Sequence, residues 1–512
     1  MSKLKVGVID LISKGPNKSL WARVMHANFA SIMPQVIATW CDQRGHEVEL
    51  ICFTGLEDLE KEIPQNVDLV FICGFTQAAF LAYSLSNLLR SKGVVTVLGG
   101  PHARCYPEDA LKYFDYVVGF TNEEILDEIL DNCVPQGEEG TYLAAKNQPR
   151  SLPSLRDRWK FVEQTLKKAP LLKFVNMIGS MGCPYTCSFC IDSVVKYQPL
   201  DFEIMKSDLK FLLEKFKNPI VGWHDPNFGV RFDDYMEAIA SVAPNGKIRH
   251  IAESSLSILK EDHLKVLKQN GFVGMLPGIE SWYDMGNKSR TARREGEEKL
   301  QRVSEHVNMI FEYIPYVQTN FVLGLDSDEG DEPFELTKRF VDMSPAAFPG
   351  YSLLTSFGEA APLNLEYQEE NRVLPFPFHF LNNHHAMNLK PRNYEWIDFY
   401  DKVIDLTEYT FSRRAIYRRF THTKVWTAKY LNVIRAISNE GYGRIKYFKK
   451  IRKNLIEDSK FRDFFEGESQ VLPQFYVDMV KKDLGGLWNW LPEGALYHNP
   501  NAYLEKSQRQ HA

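Results

Sequence analysis

The sequence predicts an α/β protein with a doubly wound parallel sheet first, a second run of strand–helix units in the middle, and a mainly helical C-terminal region. Three observations carry this prediction. Short apolar, β-branched runs alternate with helical periods in two successive stretches, the pattern of parallel strands joined by crossover helices. The alternation lapses after residue 133, where Pro135, Gly137, Gly140, Pro149 and Pro153 interrupt regular structure. Beyond about residue 375 the strand pattern ends in a stretch rich in Pro, Phe, His and Asn. These shifts divide the chain into 1–135, a linker over 136–170, 171–375 and 376–512.

Within the first stretch, residues 4–9 alternate as a strand. Proline is tolerated in the first turn of a helix, so one can start at Pro34, with Val36, Ile37, Trp40 and Cys41 on one face and Gly45 as its stop. Strands over 46–53, 67–73, 94–98 and 115–119 follow, with helices near 77–90, 107–113 and 123–130 between and after them. Ligands on such sheets bind outside the carboxyl ends of the strands. Gly99, Gly100, Pro101 and His102 stand at one of those ends, where the missing side chains let a ligand approach the backbone. A G-x-G-x-x-G fingerprint is absent, so a dinucleotide site is not supported. The middle stretch predicts strands over 174–179, 220–225, 247–253, 272–280, 316–324 and 351–355. Helices over 202–216, 233–241, 256–269, 294–311 and 332–340 separate them.

Composition narrows the class. Net charge is −5, from 61 basic and 66 acidic residues, so the whole chain gives no polyelectrolyte signal. No hydrophobic signal core and no run of about 18 apolar residues is found, which predicts a cytoplasmic protein. Eight cysteines in 512 residues are too sparse for a disulfide scaffold. Cys41, Cys52, Cys73, Cys105 and Cys133 read as small buried hydrophobes, with a second metal cluster as the lesser alternative.

Cys183, Cys187 and Cys190 differ from those five. They form C-x3-C-x2-C, three thiolates close enough to grip one cluster, and no cysteine follows them. Iron–sulfur clusters are normally held by four thiolates. Three leave one iron open to another ligand, as a reacting centre requires, whereas a structural site is closed. The alternative is half of a zinc site, which needs a fourth Cys or His; His224 is the nearest histidine and sits in another predicted element.

This loop, including Phe189 before the last cysteine, resembles the signature of the radical S-adenosylmethionine (radical SAM) superfamily. The resemblance implies that the three cysteines hold a 4Fe–4S cluster and that SAM occupies the fourth iron, to be split into methionine and a 5′-deoxyadenosyl radical. It also implies that the six βα units form a partial barrel, whose chemistry lies at the C-terminal mouth of the strands. Asp225, Glu253, Glu280, Ser281 and Gly324 stand at those strand ends. Gly-Ile-Glu-Ser and Phe-Val-Leu-Gly resemble SAM-contacting segments: a carboxylate accepts from the SAM ammonium and ribose hydroxyls, and glycine lets backbone meet the adenine. Each of the three carboxylates reads equally well as the cap of the following helix. His224 reads as a mouth-lining residue rather than an iron ligand. The segment 352–363 stands where the family often has Pro-x-Pro-Gly-Thr-x-Leu, and here Pro-Gly-Thr is replaced.

The segments 45–48 and 99–108 resemble the Rossmann-like cobalamin-binding domain that precedes many radical SAM domains, as in hopanoid and chlorin methylases and the anaerobic magnesium-protoporphyrin cyclase. That resemblance implies cobalamin near Gly99, Gly100, Pro101 and His102. The D-x-H-x-x-G motif is absent, so His102 is a loop residue near the cofactor rather than its axial ligand. The alternative is a Rossmann-like domain that only docks on its neighbour. The implied activity is cobalamin-dependent methyl transfer to an unactivated carbon through the deoxyadenosyl radical. Alternatives are cyclisation or oxidation, with or without cobalamin, and a non-catalytic metal-binding protein that recognises RNA or membrane. The implied partners are a small-molecule substrate of anionic or lipid-like character and an external one-electron donor such as flavodoxin or ferredoxin.

His379, His384 and His385 lack helical metal-ligand spacing and are read as candidates for substrate contact. From 409 to 453 there are 13 Lys or Arg against one acid, Glu440, interleaved with aromatics. The favoured reading is a helical domain with a solvated basic face and inward-packed aromatics. Peripheral membrane contact ranks next and nucleic acid last.

Overall fold

In the computed structural model, residues 3–137, 139–283 and 296–511 are described. β1 (Lys5–Leu11), β2 (Glu47–Phe53), β3 (Leu69–Gly74), β4 (Val95–Gly99), β5 (Tyr116–Val118) and β6 (Thr141–Leu143) form one parallel sheet in the order β2-β1-β3-β4-β5-β6. The reversal of direction beside β1 makes the sheet doubly wound and opens a crevice at its carboxyl edge. Ile9 pairs in register with Ile51 and Ile72, so three β-branched side chains stack in the core of this sheet.

The segment expected as a linker has structure of its own. It adds β6 to the first sheet and then forms the helix Leu155–Lys168, started by a capping box between Ser154 and Asp157. The Leu155 amide donates to Asp208 Oδ1 at 2.7 Å, and Arg158 Nη1 donates to Gln35 Oε1 at 3.2 Å. The helix therefore brackets the two halves of the molecule.

The second sheet follows: β7 (Phe174–Met177), a short antiparallel pair β8 (Ser180–Met181) and β9 (Gln198–Pro199), then β10 (Ile220–Trp223), β11 (Arg249–Ser255), β12 (Phe272–Glu280), β13 (Tyr316–Leu323) and β14 (Phe348–Leu353). Its order, β14-β13-β12-β11-β10-β7, adds each strand beside the last, and every pairing is parallel. Successive right-handed crossovers curl such a sheet into an open barrel around a lumen. The helix expected over 294–311 begins in residues that lie outside the described ones; its described part is Glu297–Tyr313.

One hydrophobic core runs from the first sheet through the barrel into the C-terminal helices. Phe378, fully buried, packs at 4.5 Å between ring centroids against Tyr106 of the first region and at 4.3 Å against His498 of the last. Burying such a ring contributes about 1.5–3 kcal/mol, so the regions are held as one body.

The C-terminal region is helical and most of its basic residues stay at the surface, but three arginines turn inward and several aromatics turn out. Arg419, Arg435 and Arg444 are buried, while Tyr417, Trp426 and Tyr430 are 69%, 62% and 57% exposed. Only part of the aromatic set, notably Phe448, packs inward. The strands explain the inward arginines: the carbonyls of Ala347 and Tyr351 and the side chains of Tyr316 and Gln318 face these helices and take the guanidinium donors. No helix among the described residues is long and apolar enough to cross a membrane.

Candidate cofactor cleft and cluster loop

The cysteine loop leaves the barrel at the carboxyl end of β7 and is pinched at its base by the β8–β9 pair. Gly182 turns the chain there with φ +67°, and a Cβ would lie 2.5 Å from the Val195 carbonyl, so a side chain cannot be admitted. The Cys183 amide donates to Val195 O at 3.3 Å, and the Cys190 amide to Cys187 O at 2.9 Å. Cys183 and Cys187 are buried and Cys190 is half-buried. The Asp192 amide donates to Cys190 Sγ at 3.4 Å, a contact that favours a thiolate. Among the described residues no group of three Cys, His, Asp or Glu is already drawn together as a metal site. The three thiols share one short, tethered loop, and closing them on a common centre requires side-chain rotation. The donor set itself, three thiols and no histidine, suits an iron–sulfur cluster better than zinc.

Asp225 does not face the lumen. Its carboxylate accepts from the Gly179 amide at 3.1 Å, from Ser180 Oγ at 2.7 Å and from Tyr235 Oη. Burial raises its pKa, and those hydrogen bonds pull the other way. It anchors the root of the cluster loop. Glu253 lines the barrel lumen instead. Glu280 ends β12 with φ +65°, at a register break against β13 between Gly278 and Glu280. A bulge with a left-handed non-glycine residue is strained backbone of the kind found at ligand sites. The Glu280 side chain folds back so that a Cβ on Gly278 would lie 2.1 Å from its Oε1. Ser281, next along, is buried and accepts from the Tyr283 amide. Gly324, at φ +84°, is filled against: a Cβ would meet Met387 Sδ at 2.9 Å and Phe399 at 3.0 Å. Phe189 is half-buried on the cluster loop, whose Ser188 carbonyl accepts from the Leu363 amide at 3.0 Å.

Between the carboxyl edge of the first sheet and this loop lies a cleft of ≈ 1120 Å³ including its open mouth. Gly99, Gly100 and Pro101 line it from one side, Met181, Val195 and His224 from the other. A Cβ on Gly99 would meet nothing within 4 Å, so that position faces open space. Gly100, at φ +92°, has Cys73 Sγ 3.0 Å from where a Cβ would sit. His102 turns away from the cleft: it is buried, and its Nε2 is paired with Tyr83 Oη at 2.7 Å. His224 fronts the cleft and is exposed to it.

Sequence reasoning missed two residues here. Arg104 Nη2 and Asp192 Oδ1 form a salt bridge at 2.9 Å across the cleft, joining the first region to the cluster loop. They stand 88 residues apart, and no local pattern marks the pair. Of the three histidines, His379 Nε2 pairs with Asp483 at 2.8 Å and His385 contacts Asn382, whereas His384 alone lines the barrel lumen.

Comparison with known proteins agrees with this architecture. Residues 177–341 match the profile of the Radical SAM superfamily. The chain is 22% identical to bacteriochlorophyllide d C-12(1)-methyltransferase of Chlorobaculum tepidum, over 70% of this chain and 78% of that protein. It is also 22% identical to bacteriochlorophyllide d C-8(2)-methyltransferase of the same organism, over 76% and 87%. Among solved structures, the cobalamin-dependent SAM radical enzyme OxsB with aqua-cobalamin bound superposes with a TM-score of 0.54 at 12% identity, covering 99% of this chain and 84% of that one. The radical SAM methyltransferase TsrM of Kitasatospora setae, with tryptophan and a SAM analogue bound, gives 0.53 at 14% identity, covering 73% and 78%. Three cysteines stand on the loop that opens the barrel, and the matched segment, residues 177–341, begins at the strand before them; over that segment the chain is similar to the Radical SAM superfamily.

Proposed function

We propose that this enzyme is a cobalamin-dependent radical SAM methyltransferase acting on a carbon of a small molecule. The observation that carries the reading is the cleft: it puts the Gly99–Gly100 edge of the first sheet directly opposite the cysteine loop, so that two cofactors bound at those places would face each other. A lone docking domain has no need of an open glycine edge there. When bound, the cluster and SAM supply carbon-centred radical chemistry, and cobalamin supplies the methyl group.

The chain's own residues do the positioning. Cys183, Cys187 and Cys190 hold the cluster, and Asp225 fixes the loop that carries them. Glu280 and Ser281, at the strained end of β12, orient the amino and ribose groups of SAM, and Phe189 of the cluster loop is assigned to the same cofactor. Gly99, Gly100 and Pro101 present backbone to the corrin, and the Arg104–Asp192 bridge keeps the two sides of the cleft in register. Mainly apolar walls such as Val195 and Met181 exclude water, which protects a radical from quenching. Asp225, His102 and Gly324 are assigned to support rather than contact, because each is already engaged by protein. In this reading 1–135 is the cobalamin domain, 171–375 the radical domain and 376–512 the closing helical domain.

The test is anaerobic isolation followed by reduction with SAM. A corrinoid absorption band together with release of 5′-deoxyadenosine is expected. An intact cluster without that release would reject radical chemistry, and active protein devoid of corrinoid would reject the cobalamin assignment.

A further inference from the structure

A second cavity, of ≈ 1710 Å³ including its open mouth, lies inside the barrel. It runs from Phe348, at the amino end of β14, to Ser352 near the carboxyl end, four residues or about 13 Å along a strand. Its floor is closed by the helices Trp426–Ile437 and Arg444–Glu457, which bring Arg435 and Arg444 to the lining.

The charge in this lumen does not balance. Arg435 Nη1 donates to Tyr316 Oη at 2.6 Å and to Gln318 Oε1 at 2.5 Å, and its Nε donates to Glu440 at 2.5 Å. Its Nη2 has no protein acceptor among the described residues. Arg444 Nη1 donates to the Tyr351 carbonyl at 2.8 Å, and its Nε and Nη2 have no acceptor among the described residues. Behind them Arg419 is 2% exposed, with its buried Nη1 unsatisfied. Among the described residues the lining holds three arginines, Arg249, Arg435 and Arg444, against two carboxylates, Glu253 and Glu440. His384 also lines the lumen and adds no counter-charge, since an imidazole is either neutral or cationic. Buried guanidiniums without counter-charge are costly, and backbone carbonyls compensate them only in part. The rest of the lining is largely apolar: Trp21, Met25, Ile251, Phe348 and Leu431.

We propose that the barrel lumen binds an apolar molecule bearing a carboxylate, clamped by Arg435 and Arg444 at the amino end of the strands, with its apolar body reaching toward the cluster loop. The inference rests on the radical reading for what happens to that molecule and deepens it by naming the substrate class. The carboxylate is then remote from the carbon that reacts. Guanidinium recognises it in the forked geometry that oxyanions favour. Gln318 Nε2 donates onward to Asn320 Oδ1 at 2.7 Å, so β13 carries a polar line beside the apolar body.

The test uses the full-length reconstituted enzyme and two fluorescent probes, 1-pyrenebutyrate and the neutral 1-pyrenebutanol. The acid should bind at least about tenfold more tightly than the alcohol. Arg444→Gln should abolish that preference while Arg444→Lys retains part of it. Thr427→Trp, an exposed rim position, should weaken both probes without touching an arginine. Equal binding of acid and alcohol, an acid preference that survives Arg444→Gln, or indifference to Thr427→Trp would each overturn the proposal. Binding is read without SAM. An enzyme that prefers the acid but releases no 5′-deoxyadenosine loses the radical reading and keeps the pocket; the reverse result loses only the pocket.

Discussion

The two ends of the barrel bury ionisable groups of opposite kind, acids at one and guanidiniums at the other. At the carboxyl mouth, Asp225 and Asp328 are buried acids whose hydrogen bonds come from backbone amides and hydroxyls at the loop roots. At the amino end, Arg419, Arg435 and Arg444 are buried cations with Glu440 as the one carboxylate in ion-pair contact among the described residues. The acids are consumed in holding loops, whereas the arginines keep donors in reserve. The difference separates two tasks: the carboxyl end is built to fix cofactor-bearing loops in place, and the amino end to receive something from outside.

Removing a cysteine should break this division most visibly. Cys187→Ala is expected to lower 5′-deoxyadenosine release by at least about a hundredfold, beyond the effect of losing an outer-shell partner. Corrinoid content and 1-pyrenebutyrate binding should be unchanged. Loss of all three together would mean that the two ends do not act independently.

The next effect sharpens the contrast within the cleft itself. Gly99→Leu projects a side chain into open space and should deplete corrinoid from isolated protein at an unaltered thermal midpoint. Gly100→Ala meets Cys73 and the Gly74 carbonyl at a left-handed backbone, which costs about 1–3 kcal/mol. It should lower the midpoint whether or not corrinoid is present. Arg104→Gln breaks the bridge to Asp192, a partly exposed pair worth about 1 kcal/mol at most. Corrinoid retention on dilution should weaken only a few-fold.

A further effect, which touches neither cofactor nor pocket, is one of pH. Burial raises the Asp328 pKa from 3.8 to about 7, against the pull of the Gly324 and Leu325 amides. The folded state thus holds a proton that the unfolded chain releases near pH 4. Its contribution to stability is complete below that pH and is lost as pH rises toward 7. Asp328→Asn keeps an acceptor oxygen and should flatten the fall in thermal midpoint between pH 5 and 7; an unaltered slope would place the titration elsewhere.

Much of this was legible beforehand. Strand and helix positions follow from apolar periodicity, and the cysteine loop from spacing, because both depend on residues close together in the chain. Glu280 was found from a local Gly-Ile-Glu-Ser resemblance, and the structure adds the left-handed backbone at that residue. The linker was less legible. β6 is three residues long and is held by pairing with β5, which no local period records. The three inward arginines and the outward aromatics of the basic helices were not foreseen, because amphipathic periodicity identifies two faces without saying which side chains find buried partners. The acceptors that draw Arg435 in are Tyr316 and Gln318, more than a hundred residues upstream.

By itself, the sequence determined that three thiols would sit on one loop at the start of a βα barrel, and that a doubly wound sheet would precede it, since spacing and period are properties of the local chain. Only the tertiary structure decided which way that loop faces, that a glycine edge stands across from it, and that three arginines close the opposite end. Those facts depend on contacts between segments far apart in the chain, where packing and the demands of buried hydrogen bonds, rather than local preference, choose the partner.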